Sequence, residues 1–154
     1  MTLTPSVGQA TSLKFAVVPS HPSVFLPAAA FATCGSTTTS SVQAITLNAD
    51  GSLNSCSNPA QPGTSVRVFL NGLGTAGGNS VTGAINSVAE ALAISGTATP
   101  PSEPVSLATS VGQIGSVIVA TVAIPEGAGP LLEISLTVNA VPVLDSVLIW
   151  LKSN

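Results

Sequence analysis

The stretch EISLTV, residues 133–138, alternates polar and apolar side chains at every position. Successive side chains of a β-strand point to opposite faces of the sheet, so this alternation predicts a strand with one buried face. The stretch SVRVFL, residues 65–70, begins with the same period of two. Together the two stretches predict a β fold, because a helix would need apolar residues at every third or fourth position. The residues predicted to share the core face are Val66, Val68, Ile134, Leu136 and Val138.

Strands are predicted along the rest of the chain as well. Val, Ile and Thr dominate its apolar runs, and 12 prolines and 14 glycines interrupt these runs at short intervals. A spacing of about ten residues predicts an all-β fold, an immunoglobulin-like antiparallel β-sandwich of about seven to nine strands. Trp150 is expected to cap the core near the end of the last strand. The predicted strands are residues 12–18, 23–25, 42–47, 65–70, 88–95, 105–109, 116–124, 131–138 and 143–151.

Residues 83–95 leave two interpretations open. Their apolar side chains, among them Ile85, Val88 and Leu92, fit a strand but also have passable helical spacing. A short helix here would alter one connection and leave the fold class unchanged.

A tight turn is predicted at Asn48-Ala49-Asp50-Gly51, because Asp-Gly readily adopts the positive φ angles of hairpin loops. The oxygens of Asn48, Asp50 and Asn54 also resemble part of a calcium loop, but the glutamate that closes an EF-hand loop is missing. Capping of the turn by these side chains is therefore the favoured interpretation, and no metal site and no cofactor are predicted.

Cys34 and Cys56 are the two cysteines of the chain. They bracket a hairpin-like segment and form no CxxC pair, so a disulfide is the favoured interpretation; two buried thiols in a reducing compartment are the alternative. A disulfide closing a loop of about 22 residues would stabilise the fold by roughly 3 kcal/mol in the chain-entropy model.

Charged residues make up 6% of the chain and apolar residues 45%. With Lys14, Arg67 and Lys152 as its cations, the chain cannot form the basic stripe that binds nucleic acid. No apolar run reaches the length of about 18 residues that spans a bilayer. The composition suits either a secreted monomer with a neutral polar surface or a subunit whose apolar surface is covered by its neighbours.

Catalysis is not predicted. The carboxylates are scattered singly, at Asp50, Glu90, Glu103, Glu126, Glu133 and Asp145, whereas acid-base pairs need two carboxyl groups close together. His21 precedes Pro22, and no nucleophile is identified for it. The glycines of residues 72–78 lack the lysine and the Ser/Thr of a phosphate-binding loop. No catalytic residue and no small-molecule ligand are therefore assigned.

Several motifs follow the order found in a known family. Residues 48–55 (NADGSLNS), 58–60 (NPA), 62–64 (PGT), 72–74 (GLG) and 124–127 (IPEG), with the strands that follow, resemble a C-terminal domain family expanded in secreted proteins of acidobacteria of the Solibacter type. The resemblance covers roughly residues 42–152; residues 77–113 follow the family poorly, and the cysteine pair is not part of its pattern. It implies an immunoglobulin-like domain outside the cell, with no assigned chemistry.

The N-terminal segment, residues 1–20, is expected to be a strand-like segment that can be exchanged with a neighbouring copy. Residues 21–154 are expected to form the sandwich domain. From Met1 onwards the segment lacks the basic and apolar regions of a secretory signal, so either a leader has been removed or the chain is a piece of a longer protein. The motif SVGQ before an apolar run occurs at residues 6–9 and again at residues 110–113.

The predicted function is that of a secreted or cell-surface structural module that forms a homo-oligomer or polymer through sheet-edge pairing or strand exchange, as in a filament. The alternative is a monomeric adhesion or carbohydrate-binding module, for which the chain offers few aromatic residues: no tyrosine, four phenylalanines and one tryptophan.

Overall fold

The computed structural model describes residues 2–3, 11–12, 20–27, 31–34, 37–74, 84–92, 94–99 and 102–153. Thirteen strands and no helix form the regular structure of these residues. The strands are β1 (Thr2–Leu3), β2 (Thr11–Ser12), β3 (Ser23–Val24), β4 (Phe31–Cys34), β5 (Thr37–Val42), β6 (Thr46–Leu47), β7 (Ser65–Asn71), β8 (Gly96–Thr99), β9 (Glu103–Thr109), β10 (Ile118–Ala123), β11 (Leu131–Val138), β12 (Val141–Pro142) and β13 (Val147–Trp150).

Nine of the described strands form one antiparallel sheet. Its order is β12-β11-β8-β9-β10-β7-β3, with β13 beside β11 and β6 beside β7. The strands β1 and β2 pair with each other in a separate sheet, and β4 pairs with β5 in another. The prediction of an all-β antiparallel fold with seven to nine sheet strands is confirmed.

The nine-stranded sheet curls until its two ends meet, so the sandwich is almost a closed barrel. At the meeting point the Ala60 N–H donates to the Trp150 carbonyl (2.8 Å), and the Lys152 N–H donates to the Ala60 carbonyl (2.9 Å). The edge strand β3 is held at its other side as well, because the Leu144 N–H donates to the Pro22 carbonyl (3.2 Å). Closure leaves these sheet ends paired rather than open to solvent.

The main core lies inside this curled sheet. The side chains predicted to share its face are all buried there, from 0% exposed at Val66 and Val68 to 3% at Val138. Buried and more exposed side chains alternate along β7 and along β11, as the sequence period predicts. The largest apolar side chains that are less than 2% exposed are Leu70, Ile134, Leu148, Ile149, Val66, Val68, Val122 and Val147.

Trp150 does not cap this core, and that prediction is wrong. Val147, Ile149 and Leu151 belong to the main core, whereas Leu148 and Trp150 form a second cluster on the outer face of β13. Because every residue from 147 to 151 is apolar, the sequence carries no alternation that would show which of them point inwards.

Other strand predictions differ in position. The strand predicted over residues 88–95 is displaced: Ala91 makes an isolated bridge with Ala108, and β8 begins at Gly96. The helical alternative for residues 83–95 is wrong for the described residues 84–92 and 94–95, which contain no helix. Neither β4 nor β5 was predicted, apart from Val42 at the end of β5. Of the predicted strand 12–18, residues 13–18 lie outside the described residues.

Candidate functional site

The predicted turn forms as a hairpin between β6 and Leu53. The Gly51 N–H donates to the Asn48 carbonyl (2.9 Å), and Gly51 has a φ of 87°. Asp50 caps the turn, since its Oδ1 accepts from the N–H of Ser52 (2.9 Å) and from the Ser52 hydroxyl (2.6 Å). These bonds, the one from the hydroxyl first, lower the pKa of Asp50 below its ordinary value. The interpretation that side chains cap this turn is thus confirmed for Asp50.

Asn54 links this turn to the last strand of the sheet. Its side-chain amide donates to the Asn48 Oδ1 (2.9 Å) and to the Trp150 carbonyl (2.9 Å), while its Oδ1 accepts from the Trp150 N–H (2.8 Å). Asn54 is fully buried. The primary amide of a side chain therefore takes the place of a neighbouring strand along β13. We name this junction of Asn48, Asn54 and Trp150 the seam.

The disulfide predicted between Cys34 and Cys56 is present, with a Cα–Cα distance of 5.7 Å. It joins the β4–β5 hairpin to the turn at residues 55–58. Both cysteines are half-buried and pack against Leu148 and Trp150. The seam thus bonds to the backbone of β13, and the disulfide packs against side chains of the same strand.

The described candidate residues form no cluster of metal-ligating side chains. Within the described part of the chain, no group of three or more His, Cys, Asp or Glu side chains could hold a metal ion. His21 is exposed and donates its backbone N–H to the Gly72 carbonyl (2.7 Å). Of the three cations, Arg67 is half-buried, Lys152 is exposed and Lys14 lies outside the described residues. No helix of the described residues could cross a lipid bilayer.

An exposed apolar cluster at one end of the sheet is the most distinctive surface feature. Residues 84–90, which we call the edge segment, run beside the turn at residues 110–115. The exposed fractions are 74% for Ile85, 68% for Val88, 62% for Val111 and 51% for Ile114. An isolated bridge joins Ile85 to Ile114. We call these four side chains the end cluster. Two of them, Ile85 and Val88, stand in the ambiguous run of residues 83–95, whose sequence gives no sign of their exposure.

The edge segment uses only its inner side for hydrogen bonds. The Asn86 N–H donates to the Gln113 carbonyl (2.7 Å), and the Asn86 carbonyl accepts from the Gly112 N–H (2.8 Å). The Gly115 N–H donates to the Ala84 carbonyl (2.6 Å). Among the described residues, no group hydrogen-bonds to the backbone of Ile85, which faces the other way in this antiparallel bridge. Within the part of the chain that the structure describes, nothing pairs with the outer side of the segment.

The chain matches no protein-family model, and no curated protein and no solved structure is significantly similar to it.

Proposed function

We propose that this chain is a non-catalytic structural module, outside the cell, that assembles with further copies of itself by strand addition. The observation that carries the proposal is the outer side of the edge segment, beside the end cluster, with which no other described residue pairs. In strand addition, backbone hydrogen bonds to an open edge supply affinity and apolar slots for alternate side chains supply specificity. The edge segment offers both kinds of contact.

The N-terminal segment, residues 1–20, is the proposed donor. Within the described residues, β1 and β2 pair only with each other, and a two-stranded hairpin alone is marginally stable in water. A further strand from another copy would extend such a sheet. The sequence of residues 13–17, LKFAV, places Leu13, Phe15 and Val17 at alternate positions, which would put these three apolar side chains on one face of a donated strand.

The repeated SVGQ motif does not support an exchange in which the N-terminal segment replaces β10. Aligning the two copies places Lys14 at the position of Ile118, which is 3% exposed in the main core. A lysine there would bury an unpaired charge, and the free energy this costs is far larger than the free energy that strand exchange would provide. Addition to an outer edge avoids that cost, because Lys14 can then face solvent.

An extracellular location is part of the same proposal. Disulfides persist mainly in oxidising compartments, so the Cys34–Cys56 bond supports it. We further propose membership of the acidobacterial C-terminal domain family. The hairpin at residues 48–53, which carries the DGS motif of that resemblance, supports this membership because its Asp and Ser side chains cap the turn.

The experiment compares the mass and shape of purified variants over a range of concentrations. Light scattering after size exclusion, with negative-stain microscopy, should show that the full chain grows in mass with concentration and forms strings. Deletion of residues 1–18 should leave monomers. Ile85→Lys should also leave monomers, because a charge on an exposed edge opposes strand pairing without disturbing the core.

Leu144→Lys is the matched control. Leu144 is 62% exposed but lies outside the end cluster, so this variant should assemble like the full chain. A full chain that stays monomeric at high concentration contradicts the proposal. Assembly that survives both the deletion and Ile85→Lys also contradicts it, since donor and acceptor would then both be wrong.

A further inference from the structure

The β4–β5 hairpin lies outside the nine-stranded sheet. Its two strands pair with each other, and no described strand of the large sheet pairs with either of them. Two strands without a third are marginally stable in water. The hairpin therefore depends on contacts other than strand pairing for its place on the molecule.

Two contacts between described residues hold the hairpin near β13. The disulfide fixes Cys34 of β4 to Cys56. Gln43, directly after β5, donates from its Nε2 to the Asn54 carbonyl (2.9 Å), and its Oε1 lies 3.4 Å from the indole N–H of Trp150. The second of these hydrogen bonds is long, so the disulfide is the strongest attachment.

The surface beneath the hairpin is apolar. Leu148 is 2% exposed and Trp150 is 9% exposed, although both point away from the main core. Their small cluster packs against the two cysteines and is separate from the main core cluster. An outer face of a sheet that is this well buried requires a cover.

We infer that the β4–β5 hairpin is a cover over Leu148 and Trp150 and that the disulfide is its latch. Reduction opens the latch by thiol–disulfide exchange: a dithiol reductant forms a mixed disulfide with one cysteine, then closes its own disulfide and leaves two protein thiols. The hairpin then separates from β13 and exposes the apolar pair. This inference is independent of the proposed assembly.

The nine-stranded sheet keeps its structure when the latch opens. None of its strand pairs includes β4 or β5, and its core cluster does not include either cysteine. The seam bonds join the Asn54 side chain to the Trp150 backbone, and neither residue belongs to the hairpin. Oxidised and reduced chains therefore share one barrel and differ in one apolar surface.

Trp150 is the only tryptophan of the chain, so its fluorescence reports on the cover directly. Acrylamide quenching should rise severalfold, and the emission should shift to the red, when dithiothreitol is added to the full chain. The Cys34→Ser/Cys56→Ser double variant should show the reduced values from the start and should not respond to dithiothreitol. Hydrogen exchange, followed by mass spectrometry on peptides from β7 and β10, should be the same in both redox states.

Two results would overturn the inference. Quenching that stays at the oxidised level in the reduced chain and in the double variant would show that the hairpin keeps its place without the bond. Exchange in β7 and β10 that rises together with quenching would show that the disulfide holds the whole fold rather than a cover.

Discussion

The substitution Asn54→Ala tests how the barrel closes. It removes the three side-chain hydrogen bonds of a fully buried residue. The Trp150 carbonyl keeps its bond from the Ala60 N–H, but the Trp150 N–H and the Asn48 Oδ1 lose their partners. A buried polar group without a partner costs about 1–3 kcal/mol, so two of them predict a loss of about 2–6 kcal/mol in the free energy of unfolding, measured by urea denaturation.

Asn58→Ala is the matched control. The Asn58 side chain also makes two hydrogen bonds in this turn, to the Ser52 hydroxyl (2.8 Å) and to the Leu53 carbonyl (3.0 Å). Asn58 is exposed, so water replaces both bonds and the loss should be about 1 kcal/mol or less. Equal losses for the two variants would refute the role of Asn54 as a substitute for a neighbouring strand.

Asn54→Asp sharpens the same test. The carboxylate still accepts a hydrogen bond from the Trp150 N–H, but it has no N–H to donate to the Trp150 carbonyl or to the Asn48 Oδ1. Burial next to these oxygens raises the pKa of the new carboxyl group, because its charged form is disfavoured. The variant should therefore be least stable above that raised pKa and should regain stability as the pH falls through it. A stability that is independent of pH relative to the unsubstituted chain would contradict this.

Three further predictions concern the turns and the core. Gly72→Ala should lower the free energy of unfolding by about 2–4 kcal/mol in thermal or urea unfolding, because Gly72 has a positive φ and an added Cβ would overlap the His21 carbonyl oxygen. Its control, Gly112→Ala, has a similar φ but open space around the Cβ, so it should cost only about 1 kcal/mol. Ile134→Ala should cost about 3–4 kcal/mol, measured in the same way, since the side chain is 1% exposed in the main core. NMR titration should find the pKa of Asp50 below its ordinary value, and Ser52→Ala should raise it. The hydrogen bonds from Ser52 stabilise the turn at pH values above the ordinary pKa of Asp50, and this stabilisation is lost as the pH falls through the lowered pKa.

The fold class and its best strands could be predicted because their signals are local. β11 occupies residues 131–138 as its alternation predicts, and the Asp-Gly turn forms where it was expected. β8 was misplaced because Gly96 and Ala98 weaken the local strand signal, so pairing with β9 and β11 decides its position. Local sequence carries no record of such long-range pairing.

The seam was beyond sequence analysis for the same reason. Asn54 was noted as a turn residue, yet its decisive partner is Trp150, 96 positions away along the chain. The end cluster was not predicted, because an apolar residue in a strand-like run is ordinarily interpreted as part of the core. Only the position of residues 84–90 beside the turn at 110–115 places Ile85 and Ile114 on the outside.

The closure of the sheet limits how copies could join. An open strand edge invites pairing with another chain, and natural sheets suppress this with short strands and prolines. β12 is two residues long and contains Pro142, β3 is two residues long and is flanked by the Leu144–Pro22 bond, and the seam occupies β13. Each of these edges is thus short or already hydrogen-bonded. No described residue pairs with the outer side of the edge segment, and apolar side chains lie next to it, so we expect a donated strand to add here. If assembly occurs, Ile85→Lys should therefore abolish it, whereas a charge at the β12 edge, Val141→Lys, should leave it intact.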